Sequence, residues 1–167
     1  MHATLLQARA LGLLDDGDEL ATVDSTGFET RHVSEHYLHR IGRKHRKFPK
    51  FAEVIEHRSH LALAAWCGRG PAPDQPHLRR IARAAVSRHP FKALAADAGY
   101  DGEAYQRYLH EYWPTALYHQ RSQSESRVSM HKRRLGSYLT ARKRRTQDQQ
   151  MQLRSITLNF MINAVAA

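Results

Sequence analysis

The stretch ELATVDSTGF, residues 19–28, decides the fold. Leu20 to Val23 is an apolar run with a β-branched centre, closed by Ser25, Thr26 and Gly27, which predicts a strand. A second stretch of the same design, KALAADAGYDG at residues 92–102, predicts a short buried strand running into a glycine-rich turn. In each, an aspartate follows the apolar run directly: Asp24 after Val23, Asp97 after Ala96. Both are expected toward the carboxyl end of a buried strand, where open α/β sheets collect ligands. Each also has a glycine within three residues, which lets a ligand or another backbone come close. For either aspartate alone, capping the next turn is the ordinary role. The pairing is what asks for chemistry.

Outward from these stretches the other elements follow. Leucines and alanines at helical spacing predict a short helix over residues 1–14, ending in the acidic turn DDGDE. Residues 29–50 are polar and basic, with no acid after Glu35, and read as an exposed excursion. FAEVIEH and HLALAAWCGRG, separated by Arg58 and Ser59, predict a β-hairpin. In the loop GPAPDQP, Asp74 is placed at a helix entry and the last proline suits a helix start. The helix predicted over 77–88 turns Leu78, Ile81, Ala82, Ala85 and Val86 to one side. GEAYQRYLHEYW is weakly helical and stops at Pro114. Helical periodicity returns from Thr115 to about Arg145 with a bend at Gly136, and Gln149 to Ala167 predicts a last, apolar helix belonging to the core. The order α, β, hairpin, α, β, α, α indicates an α/β fold: one mixed sheet flanked by helices.

Composition narrows the function. The chain has 167 residues, enough for one compact domain, and 41% of them are hydrophobic, enough to bury a core. Its formal charge is +10, but residues 1–118 hold 16 basic and 14 acidic side chains, whereas residues 119–167 hold 10 and 2. A basic block of this kind suits a polyanion, most often nucleic acid. The single cysteine, Cys67, excludes a disulfide framework, and neither His36 with His39 nor His57 with His60 completes a four-ligand zinc spacing. No apolar run approaches the roughly 18 residues of a membrane span, so no membrane partner is expected.

Within the basic block, Tyr118, Arg121, Glu125 and Lys132 share a stripe. At about 100° per residue the other three fall within roughly 40° of Glu125. Ordinary (i, i+4) pairing accounts for Arg121 with Glu125. It does not account for Glu125 being the only acid among nine lysines and arginines between residues 119 and 147.

The spacing Y-x2-R-x3-E-x6-K of those four residues resembles the signature of bacterial insertion-sequence transposases with a DDE triad, at all four positions. VDSTGFETRHVSEHY, GRGPAPDQP, LAADAGYDGE, KRRLGSYLTAR and LNFMIN look like successive blocks of that catalytic domain, so the likeness runs from about residue 20 to 163. It implies an RNase H-like domain in which Asp24, Asp97 and Glu125 are the catalytic, metal-binding carboxylates. Two Mg²⁺ (or Mn²⁺) ions would serve DNA strand cleavage and strand transfer, held by oxygen ligands. Tyr118, Arg121 and Lys132 would contact DNA, with Arg133, Arg134, Arg142 and Lys143 adding backbone contacts that carry no sequence reading. The implied partners are transposon-end and target DNA, with a homodimer forming on DNA, in the bacterial cytoplasm at the nucleoid.

Three departures from the family pattern shape the expectation. Only about 20 residues precede the first strand, the stretch between Asp97 and Glu125 is short, and serines (Ser122, Ser124, Ser126) surround the glutamate. The resemblance therefore implies a truncated or internally deleted copy, its sheet missing an edge strand. Residues 1–19 are read as the remnant of a longer N-terminal region, 20–148 as the catalytic domain and 149–167 as a helix packed on it. The alternatives are a catalytically inactive DNA-binding relic and a basic RNA-binding protein; the latter leaves the paired aspartates unexplained.

Overall fold

The computed structural model describes residues 1–15, 20–30, 47–96, 98–100, 103–112 and 122–167. The stretch that decides the fold is a strand, β1 (Leu20–Gly27), inside a mixed four-stranded sheet. On one side it pairs antiparallel with β3 (Phe48–Glu56), which pairs antiparallel with β4 (Ala62–Gly70). On its other side it pairs parallel with β5 (Ala93–Ala96), giving the order β4-β3-β1-β5. A two-residue ladder joins β2 (Glu29–Thr30) in parallel to β6 (Tyr138–Leu139). Five helices accompany the strands among the described residues: α1 (His2–Ala10), α2 (Gln75–Val86), α3 (Glu103–Tyr112), α4 (Ser122–Leu135) and α5 (Arg144–Ala166). None is long and apolar enough to cross a membrane.

The pleat sends alternate residues to opposite faces. One face carries Ala21, Val23, Ala52, Val54 and Ala64, and α2 closes it with Leu78, Ile81, Ala82 and Ala85. α1 joins this cluster through Leu5 and Ala8. The other face carries Asp24 and Thr26 of β1 with Glu53 and Phe51 of β3. Phe51 packs there with Phe28, Leu139 and Met151, and α4 and α5 cover this side.

The hairpin turns where expected: the Glu56 carboxylate accepts the backbone N–H groups of Arg58 and Ser59 at 2.7 and 2.6 Å. His60, which completes the turn, is left-handed at φ 58°.

The structure corrects several expectations. Phe48–Lys50 belongs to β3 and not to an exposed excursion, because its backbone continues the ladder to Gly70 and Gly68. Lys50 is buried; its ammonium meets Asp74 Oδ1 at 2.7 Å and donates to the Ala72 carbonyl. Asp74 immediately precedes α2, but its carboxylate serves Lys50 and makes no capping bond. Asp24 is the fifth of eight residues in β1, because pairing with β3 runs on to Gly27↔Lys50 after pairing with β5 has ended.

The expected helix to Arg145 stops at Leu135. Gly136 is left-handed at φ 88° and the chain then extends, so Leu139 is a strand residue. α5 therefore starts at Arg144 and not at Gln149. Its inward stripe is also more polar than its sequence suggests: Ser155, Asn159 and Asn163 are buried while Leu153, Phe160 and Val165 are exposed. Each inward polar residue has a partner. Asn163 Nδ2 donates to the Thr4 carbonyl at 2.9 Å. The Asn159 amide both accepts from the Ala62 N–H and donates to the Ala62 carbonyl, each at 2.9 Å, which occupies backbone groups of the outer strand β4.

Candidate active site

The register places the site. In the parallel pairing of β1 with β5, Val23 stands opposite Ala96. Each is the residue just before one of the two aspartates. Asp24 is half-buried, and its Oδ1 accepts the Ser25 N–H at 2.7 Å. Its antiparallel partner is Glu53, so the two side chains share a face, the one that α4 covers. Glu125 belongs to the first turn of that helix; its side chain lies outside what is described. Asp97, Tyr118 and Arg121 also lie outside the described residues. Among the described residues no three His, Cys, Asp or Glu side chains form a metal-holding group.

The basic residues named from the sequence are at the surface. Lys132, Arg133 and Arg134 are exposed in the last turn of α4, and Arg142 and Lys143 are exposed just before α5. Arg144 and Arg145 continue the run and line an open hollow of about 420 Å³ with Asp148, Gln149 and Gln152.

Beside Asp24 on the sheet lies a buried cluster that sequence reasoning missed. Glu53, 3% exposed, is its centre. His131 Nε2 donates to Glu53 Oε2 at 2.7 Å, and the Ser155 hydroxyl donates to Oε1. Arg127 Nε lies 3.5 Å from Oε2. Its two terminal nitrogens donate to the His60 carbonyl at 2.8 Å, the Ser155 carbonyl at 3.1 Å and Asn159 Oδ1 at 2.9 Å. Burial alone would push the Glu53 carboxyl up. The Arg127 and His131 charges, with the bonds from His131 and Ser155, outweigh burial and hold it at about 2. Being ionised, Glu53 only accepts, so Nε2 of His131 carries the proton of their shared bond. The imidazole is fixed from the side as well, with Phe51 edge-on at 5.4 Å and Phe28 at 6.4 Å.

Two signals in the sequence could have found this cluster. FAEVIE alternates, so Phe51, Glu53 and Ile55 share a face and an acid sits between two large apolar side chains. Arg127 and His131 are four apart on α4 and therefore on one side of it.

No protein-family model and no curated protein sequence matches this chain. Its structure does have neighbours. A chain of the simian T-cell lymphotropic virus intasome in complex with PP2A regulatory subunit B56 gamma matches with a TM-score of 0.53 at 8% identity, over 84% of this chain and 48% of that one. The catalytic core domain of BIV integrase matches with a TM-score of 0.49 at 13% identity, over 85% of this chain and 84% of that one. This chain thus spans about half the length of the intasome chain. The likeness to the intasome chain is one of fold alone: a mixed sheet flanked by helices.

Proposed function

We propose that this chain is the catalytic portion of a DDE transposase, a protein of the insertion-sequence class that cuts DNA strands and transfers them. One observation carries the reading: Val23 pairs with Ala96, so the two aspartates are each one covalent step beyond adjacent positions on neighbouring strands. The helix that bears Glu125 covers the same sheet face that carries Asp24.

The donor set fits a hard divalent cation. Asp24, Asp97 and Glu125 offer carboxylate oxygens only, which suits Mg²⁺ or Mn²⁺ and not a sulfur- or imidazole-seeking metal. Two such ions, when bound, would activate a water or 3′-hydroxyl and stabilise the oxygen that leaves phosphorus. The Ser25 N–H bonded to Oδ1 helps fix the orientation of the Asp24 carboxylate. Lys132, Arg133, Arg134, Arg142 and Lys143, exposed on one stretch of chain, supply cations for the phosphate backbone, which position DNA without reading bases. Tyr118 and Arg121 join that contact set through the family resemblance, as does a homodimer assembled on transposon-end DNA in the bacterial cytoplasm.

The test is cleavage of a labelled element-end duplex in Mg²⁺ or Mn²⁺. Asp24→Asn and Asp97→Asn are each expected to abolish strand cleavage while leaving duplex affinity within a few-fold of wild type. Cleavage undiminished in both variants overturns the reading. One observation favours a second reading: among the described residues no strand lies beyond β5. On that reading the chain is a DNA-binding relic, and wild type binds the duplex without cutting it.

A further inference from the structure

The Glu53 cluster takes no part in the reading above, yet it sits between its pieces. Glu53 is the cross-strand neighbour of Asp24, and its partners Arg127 and His131 come from the helix that bears Glu125. We infer that Glu53, His131 and Arg127 are positioning residues that set the rotation and height of α4 over β1, and with them the place of Glu125 relative to Asp24. This inference rests on the proposed carboxylate site.

Apolar burial is non-directional, so a helix held by it alone can slide or rotate at small cost. Hydrogen bonds specify distance and angle. α4 faces the sheet at this point with Arg127 and His131, both buried. His131 fixes the helix to β3 through Oε2 of Glu53. Arg127, one turn earlier and nearer Glu125, fixes it to the hairpin turn through the His60 carbonyl and to α5 through Ser155 and Asn159. The helix is thus tied to three separate elements within five residues of Glu125's neighbour Ser126. A buried ion pair adds little net stability over apolar packing of the same volume. Specification of geometry is the contribution that such a cluster makes and that leucines in its place would not.

The experiment is a calorimetric Mn²⁺ titration of the whole chain, repeated in the presence of duplex DNA. Wild type is expected to bind saturably, and Asp24→Asn to abolish binding. His131→Leu keeps side-chain bulk and removes the donor to Glu53; it is expected to weaken Mn²⁺ binding about tenfold, as loss of an outer partner of a metal site does. His131→Gln returns a donor and is expected to recover most of that loss. Ile81→Val, on the opposite sheet face, is expected to lower the melting temperature and leave Mn²⁺ affinity unchanged. If His131→Leu fails to fold, Ser155→Ala, which removes only the donor to Oε1, is read in its place with the same expected direction. Wild-type affinity in the folded His131→Leu or Ser155→Ala variant, alongside loss in Asp24→Asn, overturns the positioning role and leaves the carboxylate site standing. Equal weakening in Ile81→Val reduces the effect to stability and likewise overturns it. No saturable Mn²⁺ binding by wild type, with or without DNA, overturns both.

Discussion

The two faces of one sheet are closed by different chemistry. On the α2 side, Val23, Val54 and Ala64 meet Leu78, Ile81 and Ala82, a cluster of aliphatic side chains. On the α4 and α5 side, Phe51 and Met151 share the buried layer with Glu53, Arg127, His131, Ser155 and Asn159. The first face stabilises through the area it removes from water, and a nearby packing would serve almost as well. The second admits few alternatives, because each buried polar atom displaced from its partner costs on the order of 1–3 kcal/mol. One layer holds the sheet together; the other decides where its helices stand. It is on the second that Asp24 opens.

The sharpest way to break this contrast is Arg127→Met. It strands Glu53 in the interior, and unfolding by denaturant is expected to show a loss of about 3–5 kcal/mol. Adding Glu53→Leu removes the stranded charge and is expected to restore a large part of that loss. Next in size, Leu78→Ala on the apolar face is expected to cost about 2–5 kcal/mol by opening a cavity. Unlike Arg127→Met, it should leave Mn²⁺ affinity of the folded protein where it was.

Acid separates the faces more gently. Glu53 is held at about 2 against an ordinary value of 4.5. As pH falls through that interval the unfolded chain takes up the proton first, so acid favours unfolding. The stability Glu53 contributes is full above about 4.5 and lost as pH drops toward 2. Melting temperature measured across that window is expected to fall less steeply in Glu53→Gln than in wild type. Variants of the α2 face should keep the wild-type slope.

The smallest effect on stability belongs to the exposed cations. Lys132→Ala and Arg142→Ala are each expected to change it by no more than about 0.5 kcal/mol. Duplex affinity should nonetheless weaken in both. Its logarithmic dependence on salt concentration should become shallower by about one for each phosphate that no longer meets a cation.

What the sequence made legible follows the same division. β1, the hairpin and α2 are readable because their burial is apolar, so their periodicity appears directly in the letters. The last two helices misled for the opposite reason. Their inward residues include Arg127, His131, Ser155, Asn159 and Asn163, which by type alone belong outside. Their burial depends on partners contributed by β3, β4 and α1, more than sixty residues away in the chain. Gly136 could be read as an interruption; that the chain leaves the helix there to pair with β2 rests on a contact that periodicity does not encode. Of the site, Asp24 was legible from its place after an apolar run, and the cluster beside it was hidden in FAEVIE, where Glu53 stands between Phe51 and Ile55 on one face of a strand.

The chain's one sulfhydryl, Cys67, makes that division measurable. Burial, with the Asp148 carboxylate nearby, pushes its thiol up to about 12. Only the thiolate reacts at an appreciable rate, so at neutral pH this sulfur is expected to react slowly with maleimides and iodoacetamide, as a thiol titration of the wild-type chain would check. Arg80 on α2 and Arg134 on α4 are both exposed and belong to helices on opposite sides of the sheet. In an Arg80→Cys/Arg134→Cys chain those two positions would take spin labels or dyes while the native sulfur stayed silent. The spread of the label-to-label distance would then report, in ångströms, how firmly α4 is seated.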